Sequence, residues 1–140
     1  MKKISLFLLL VPVLGTAQLQ LAKIFSDNMV LQENHPVTIW GKATPGKEVN
    51  VNFVSFHKTV AAEKDSTWKV VFKSQMTSRK PVTIVVKCGK EKTELKNILI
   101  GDVWVCLGQS NMEWPVMKEM HFKEEIQNSN QPLLRFCYPK

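Results

Sequence analysis

From Val37 onward the chain alternates apolar and polar positions in steps of two. Val37 and Ile39 flank Thr38 and lead to Trp40, where Gly41 stops the run. Pro45-Gly46 is a turn pair. Val49, Val51 and Phe53 alternate with Asn50 and Asn52, and Asp65-Ser66 marks a second turn. Trp68, Val70 and Phe72 alternate with Lys69, Val71 and Lys73. Val82, Ile84 and Val86 alternate with Thr83, Val85 and Lys87, and Cys88-Gly89-Lys90 forms a hairpin connection to residues 93–95. A period of two is the signature of a strand with one face buried. Strands at intervals of roughly ten to fifteen residues, with no helical stretch between them, predict an antiparallel β-sandwich over residues 18–97. Its inward faces would hold Val, Ile, Phe and Trp, Trp40 and Trp68 included. About eighty residues suffice for a modest core of this kind.

The pattern changes at Asn97. Ile98-Leu99-Ile100, Gly101-Asp102 and Val103-Trp104-Val105-Cys106-Leu107 form a nearly unbroken apolar run without alternation. A strand buried on both faces reads this way, as in a parallel sheet covered by helices. The polar turn Gly108-Gln109-Ser110-Asn111 follows. Residues 113–127 are rich in Glu, Lys and Met and contain no Gly, predicting a helix from about Val116, with Met117, Met120 and Phe122 as its core-facing stripe and Glu119, Glu124 and Glu125 as a solvated face. Residues 128–132 are a loop, and residues 133–138 read as a second strand. Strand, turn, helix, loop and strand make the opening unit of an α/β domain over residues 98–140. The expected fold class is therefore mixed: an antiparallel sandwich-like domain, then the first and incomplete unit of an α/β domain. A single unit cannot close a sheet or cover both faces of its first strand, so the chain reads as a truncated, N-terminal portion of something longer.

The start of the chain reads as an address. Met1-Lys2-Lys3 is basic, residues 4–14 are apolar apart from Ser5 and Pro12, and Gly15-Thr16-Ala17 places small residues before Gln18. This is the layout of an export signal cleaved after Ala17, which predicts a secreted or periplasmic protein. The run is too short for a spanning helix of about twenty residues, so no integral membrane segment is expected. Over all 140 residues, Lys plus Arg is 19 and Asp plus Glu is 12, a formal charge of +7. Removing Lys2 and Lys3 with the signal leaves 17 against 12, a net +5. The lysines are scattered among acidic residues rather than gathered in a stripe, which argues against nucleic acid as partner. Three cysteines, Cys88, Cys106 and Cys137, cannot all pair within one chain, so no disulfide scaffold is expected. A Cys88–Cys137 bridge would have to join the two regions, and Cys106 reads as a small core hydrophobe. Neither the cysteines nor His35, His57 and His121 show metal-ligand spacing, so no metal or other cofactor is expected.

Candidate chemistry gathers at Ser110. Reactive groups of open α/β sheets sit past the carboxyl ends of strands. A hydroxyl there is exposed, with backbone N–H groups around it where negative charge is favoured. A serine esterase needs an oxygen nucleophile and N–H donors for the oxyanion formed at the ester carbonyl. Gly108 would let the backbone turn sharply, and Gln109 and Asn111 flank the nucleophile. Gly108-Gln109-Ser110-Asn111-Met112 lacks the final Gly of a nucleophile elbow, and on these grounds alone a Ser between strand and helix reads as an N-cap in preference to a nucleophile.

The longer block Gly101-Asp102-Val103-Trp104-Val105-Cys106, continuing through Gly108-Gln109-Ser110-Asn111-Met112-Glu113-Trp114-Pro115, resembles the signature of the sialate O-acetylesterase family, exported carbohydrate esterases of the SGNH type. Phe25-Ser26-Asp27-Asn28-Met29-Val30-Leu31-Gln32 and Trp40-Gly41-Lys42-Ala43-Thr44-Pro45-Gly46 are similar to that family's N-terminal β-domain, so the resemblance runs from about Leu21 to the end. It implies that Ser110 is the nucleophile, that its own N–H is an oxyanion donor, and that the substrate is an O-acetylated sialic acid or related sugar. Leu107 stands where the family has a small Ser. The family's Gln-Gly-Glu and Asp-x-x-His motifs are absent: three residues before His35, His57 and His121 stand Gln32, Val54 and Lys118. Without a His to take its proton Ser110 is a weak nucleophile, so this chain alone is expected to be inactive. Two functional classes stay open: part of an exported, metal-free esterase acting through Ser110, or a non-enzymatic sugar-binding sandwich with a vestigial tail. Of the four tryptophans, Trp114 stands nearest Ser110 and suits a site position, while Trp104 reads as core of the second domain.

Overall fold

The computed structural model describes residues 18–137; the expected export signal at residues 1–17, and Tyr138, lie outside the described residues. Among the described residues, eight strands fold into two sheets. The smaller has the order β1-β3-β6, from β1 (Gln20–Leu21), β3 (Val37–Lys42) and β6 (Thr67–Phe72). The larger has the order β2-β8-β7-β4-β5, from β2 (Val30–Gln32), β4 (Glu48–Phe53), β5 (Phe56–Ala61), β7 (Ser78–Cys88) and β8 (Glu91–Gly101).

The alternation predicts which side chains turn inward. Val37, Ile39, Val49, Val51, Phe53, Trp68, Val70, Phe72, Ile84 and Val86 are all buried in one cluster between the sheets. Phe53 of the larger sheet meets Phe72 of the smaller, ring centres 5.5 Å apart and tilted by 59°. Such tilted pairs add to the burial of apolar area that holds two sheets face to face. The turns fall where expected. Gly89-Lys90 closes β7 onto β8 with Cys88 opposite Glu91. At Asp65-Ser66 the carboxylate accepts hydrogen bonds from the Thr67 N–H and hydroxyl, 2.9 and 2.7 Å away, which hold its pKa below the usual carboxylate value.

Several expectations are corrected. The sandwich is not purely antiparallel, since β2 runs parallel to β8 with Val30 opposite Leu99. Gly41 does not end its strand: β3 continues to Lys42, and Gly41 serves close approach instead. A Cβ there would lie 2.0 Å from the Gln20 carbonyl oxygen, so only glycine lets β1 pair with β3. Trp40 is 40% exposed on the outer face, edge-on to Phe25 at 4.7 Å. With Val37 and Ile39 inward, the pleat leaves Trp40 no other side.

The loss of alternation at Asn97 has a local cause. Ile84 pairs with Leu95 but Val82 pairs with Ile98, so β8 carries one extra residue, and Asn97 has φ +56°. This is a β-bulge. Ile98 and Ile100 join the sandwich core, and residues 98–101 belong to β8 rather than to a separate element.

Past Gly101 the expected strand–turn–helix–strand order is not formed among the described residues. Residues 103–107 make no strand; Trp104 is 84% and Leu107 86% exposed, and Cys106 is exposed as well. The expected helix is reduced to 3-10 turns at Val116–Lys118 and Ile126–Asn128 and one α-turn, α1 (Phe122–Glu125). Met117 and Met120 of the expected core stripe stand exposed, as do Glu119, Glu124 and Glu125. Residues 133–137 form no strand. A doubly buried strand needs neighbours on both edges and layers on both faces, and a short helix needs a packed apolar face. The described residues supply neither. Among them no helix is long and apolar enough to cross a membrane.

Candidate functional site

The path to Ser110 begins where β8 leaves the sandwich. Its direction is fixed by the segment at residues 27–33. The Asp27 carboxylate accepts the Lys96 N–H at 2.7 Å, and the Asn28 N–H donates to the Lys96 carbonyl at 3.0 Å. Asn28 Oδ1 accepts from Asn97 Nδ2 at 2.6 Å, which seats the bulge. Farther along, the Glu33 N–H donates to the Gly101 carbonyl at 2.9 Å, and Gln32 Oε1 accepts the Val103 N–H at 2.8 Å. The Thr77 hydroxyl donates to the Ile100 carbonyl at 3.1 Å, and the Glu33 carboxylate accepts the Thr77 N–H at 3.0 Å. Polar side chains thus hold the backbone of β8 at the bulge and at its exit. The roles of Asp27, Asn28, Gln32 and Glu33 were not readable from their positions. The signal at hand was the resemblance of residues 25–32 to the esterase family's N-terminal β-domain, which marks the segment without assigning these contacts.

Ser110 opens a 3-10 turn, Ser110–Glu113, and is exposed. The Met112 N–H donates to the Gln109 carbonyl at 2.9 Å, so Gln109 stands before the turn and Ser110 is its first residue, not the capping position. At Gly108 a Cβ would approach Met112 Cγ to 2.5 Å, so a side chain there would press on the turn. Asn111 lies within the turn. Of the four residues expected at the nucleophile, Ser110 and Asn111 lie in this turn, and Gly108 and Gln109 lead into it. Trp114 is 54% exposed, and Lys118 Nζ lies 5.3 Å from its ring centre.

The turn can present a hydroxyl; among the described residues no histidine is hydrogen-bonded to it. Each histidine makes its polar contacts within its own segment. His35 Nδ1 lies 3.0 Å from the Glu33 carbonyl. His57 contacts Asn52 Oδ1 at 2.6 Å and the Thr59 hydroxyl at 3.2 Å. His121 Nδ1 lies 3.6 Å from a Glu124 carboxylate oxygen. The three thiols are free, with Cys88 buried and Cys106 and Cys137 exposed. Among the described residues no cluster of His, Cys, Asp and Glu could hold a metal ion.

No family model matches the chain. It is 32% identical over 119 residues to sialate O-acetylesterases of Homo sapiens and Pongo abelii, and the match covers 77% of this chain but 23% of each relative. A crystal structure of a carbohydrate acetylesterase from Xanthomonas citri is similar with a TM-score of 0.73 at 28% identity, covering 80% of this chain and 26% of that one. The chain thus spans under a quarter of the length of these curated relatives, and over most of its own length it is a partial, sialate O-acetylesterase-like chain.

Proposed function

We propose that these residues are part of an exported serine esterase of the SGNH type that removes O-acetyl groups from sialic acids or related acetylated sugars. The observation that carries the reading is the exposed Ser110, first residue of a tight turn whose approach is pinned to the sandwich through Gln32. In this account Ser110 Oγ attacks the acetyl carbonyl, its proton passes to a histidine base, and the sugar hydroxyl leaves with a proton from that base. Water then hydrolyses the acetyl-serine to acetate. The Ser110 N–H is one donor to the oxyanion in each step. Residues 102–137 are the opening of an α/β domain whose neighbouring strands, layers and base come from elsewhere in the polypeptide. That assignment accounts for the exposed Trp104, Val105 and Leu107, which need such cover.

Without a base near the serine, this chain alone is inactive. The test is acetate release from an O-acetylated sialic acid. The 140 residues alone should give no turnover, the polypeptide completed with its catalytic remainder should turn over, and Ser110→Ala in that form should abolish it. Turnover that survives Ser110→Ala, or a completed polypeptide without activity, would overturn the reading.

A further inference from the structure

The outer face of the smaller sheet carries a cleft of about 480 Å³, within the range of small-molecule sites. Trp40, Lys42, Lys69 and Gln20 line it, with Lys23, Glu63 and the buried Trp68 among the remaining wall residues. Strand register explains the grouping. Trp40 lies directly opposite Lys69, and Lys42 lies between Gln20 on one side and Thr67 on the other. Neighbours across strands stand about 5 Å apart, and Trp40 and Lys42, two residues apart, share one face. The glycine at 41, which lets β1 approach, also closes this wall.

The chemistry of the lining is selective. Trp40 is the partly exposed aromatic platform, and Phe25 fixes its orientation by edge-on contact at 74° between ring planes. Three lysines against one glutamate make the wall electropositive. An apolar ligand would leave the amines unused. A neutral sugar would use the indole but not the charge. A pyranose that bears a carboxylate meets both demands: its C–H face covers the indole, and its carboxylate accepts from the amines. We propose that this cleft binds an acidic sugar unit, with Trp40 as stacking platform and Lys42 and Lys69 as the carboxylate's partners. The site lies in the sandwich and does not depend on Ser110 as nucleophile.

The test uses the full chain with 15N-labelled tryptophans, titrated with N-acetylneuraminic acid and, separately, with its methyl ester. The Trp40 indole N–H resonance should shift and saturate with the acid, with Trp68, which also lines the cleft, responding alongside it, while those of Trp104 and Trp114, outside the cleft, stay in place. The ester should bind several-fold more weakly, as should the acid at high salt, because exposed charge pairs are screened. Read at the Trp68 resonance, Trp40→Ala should abolish saturation and Lys42→Gln should weaken it several-fold, with cooperative thermal unfolding retained in both. Three results would each overturn the proposal: a Trp40 resonance that does not respond, whether for want of affinity or because other parts of the polypeptide cover it; equal affinity for acid and ester; or binding that survives Trp40→Ala. Acetate release reports on Ser110 separately, so either reading can fail without the other.

Discussion

Replacing Gly41 by alanine should detach the first strand. The added Cβ would sit 2.0 Å from the Gln20 carbonyl oxygen and 3.0 Å from the Leu21 Cα, both backbone atoms. Ordinary contact needs well over 3 Å, so β1 must retreat by more than 1 Å from β3. That retreat breaks the Gln20–Lys42 and Leu21–Gly41 pairing and the 3.1 Å hydrogen bond from the Ala22 N–H to the Trp40 carbonyl. It also withdraws Leu19, now 8% exposed, from the core cluster. Losing one buried leucine costs about 2 kcal/mol and losing one net hydrogen bond about 1 kcal/mol, so the expected loss is about 3 kcal/mol. For a domain of this size that lowers Tm by roughly 15 °C. Thermal unfolding followed by tryptophan fluorescence measures it, since Trp68 is buried in the same core. A shift of under about 3 °C, meaning less than about 1 kcal/mol, would show that β1 yields freely and that the close approach does not stabilise the sandwich.

Other consequences can be measured on the same domain. Val54, in the two-residue turn between Phe53 and Phe56, has φ +56°, which a β-branched residue tolerates poorly; Val54→Asn should stabilise by about 1 kcal/mol in urea unfolding. Gln32→Ala removes the acceptor of the Val103 N–H and should speed hydrogen exchange there by about fivefold, for about 1 kcal/mol lost; unchanged exchange would mean that the exit of β8 is held otherwise. The Asp65 pKa is lowered chiefly by the Thr67 hydroxyl, then by the Thr67 N–H. A lowered folded-state pKa gives stability that is present above the ordinary carboxylate range and lost as pH falls through the folded value. Thr67→Val should therefore raise the Asp65 midpoint seen by NMR and flatten the acid limb of stability, while a midpoint that stays put would assign the shift to other groups.

The strands were legible because period-two alternation states the burial of every side chain at once. In β4 and β6 it holds from end to end. Where it misled, residue type was weighed above register: Trp40 is large and apolar, yet its place between Ile39 and Gly41 turns it outward. The bulge at Asn97 was readable only as a broken pattern, because one extra residue moves Ile98 and Ile100 onto the face that Leu95 occupies. Residues 103–107 show the limit of local reasoning. Their apolarity states a need for cover, but which layers supply it is a property of other segments. The parallel pairing of β2 with β8 was not readable for the same reason, being a contact between segments about seventy residues apart. At the site, Ser110 and its flanking residues were legible as a motif. The side chains of Asp27, Asn28 and Gln32 that hold β8 were not, because their partners, the Lys96 and Val103 N–H groups and the Asn97 side chain, lie about seventy residues away.

The role of Ser110 as nucleophile is tested most directly by an active-site-directed fluorophosphonate, applied to the complete polypeptide captured from the producing cell. The account predicts stoichiometric phosphonylation at Ser110, found by peptide mass and lost together with acetate release in Ser110→Ala. Labelling of another residue in an active protein, or unlabelled Ser110 with turnover intact, would contradict it.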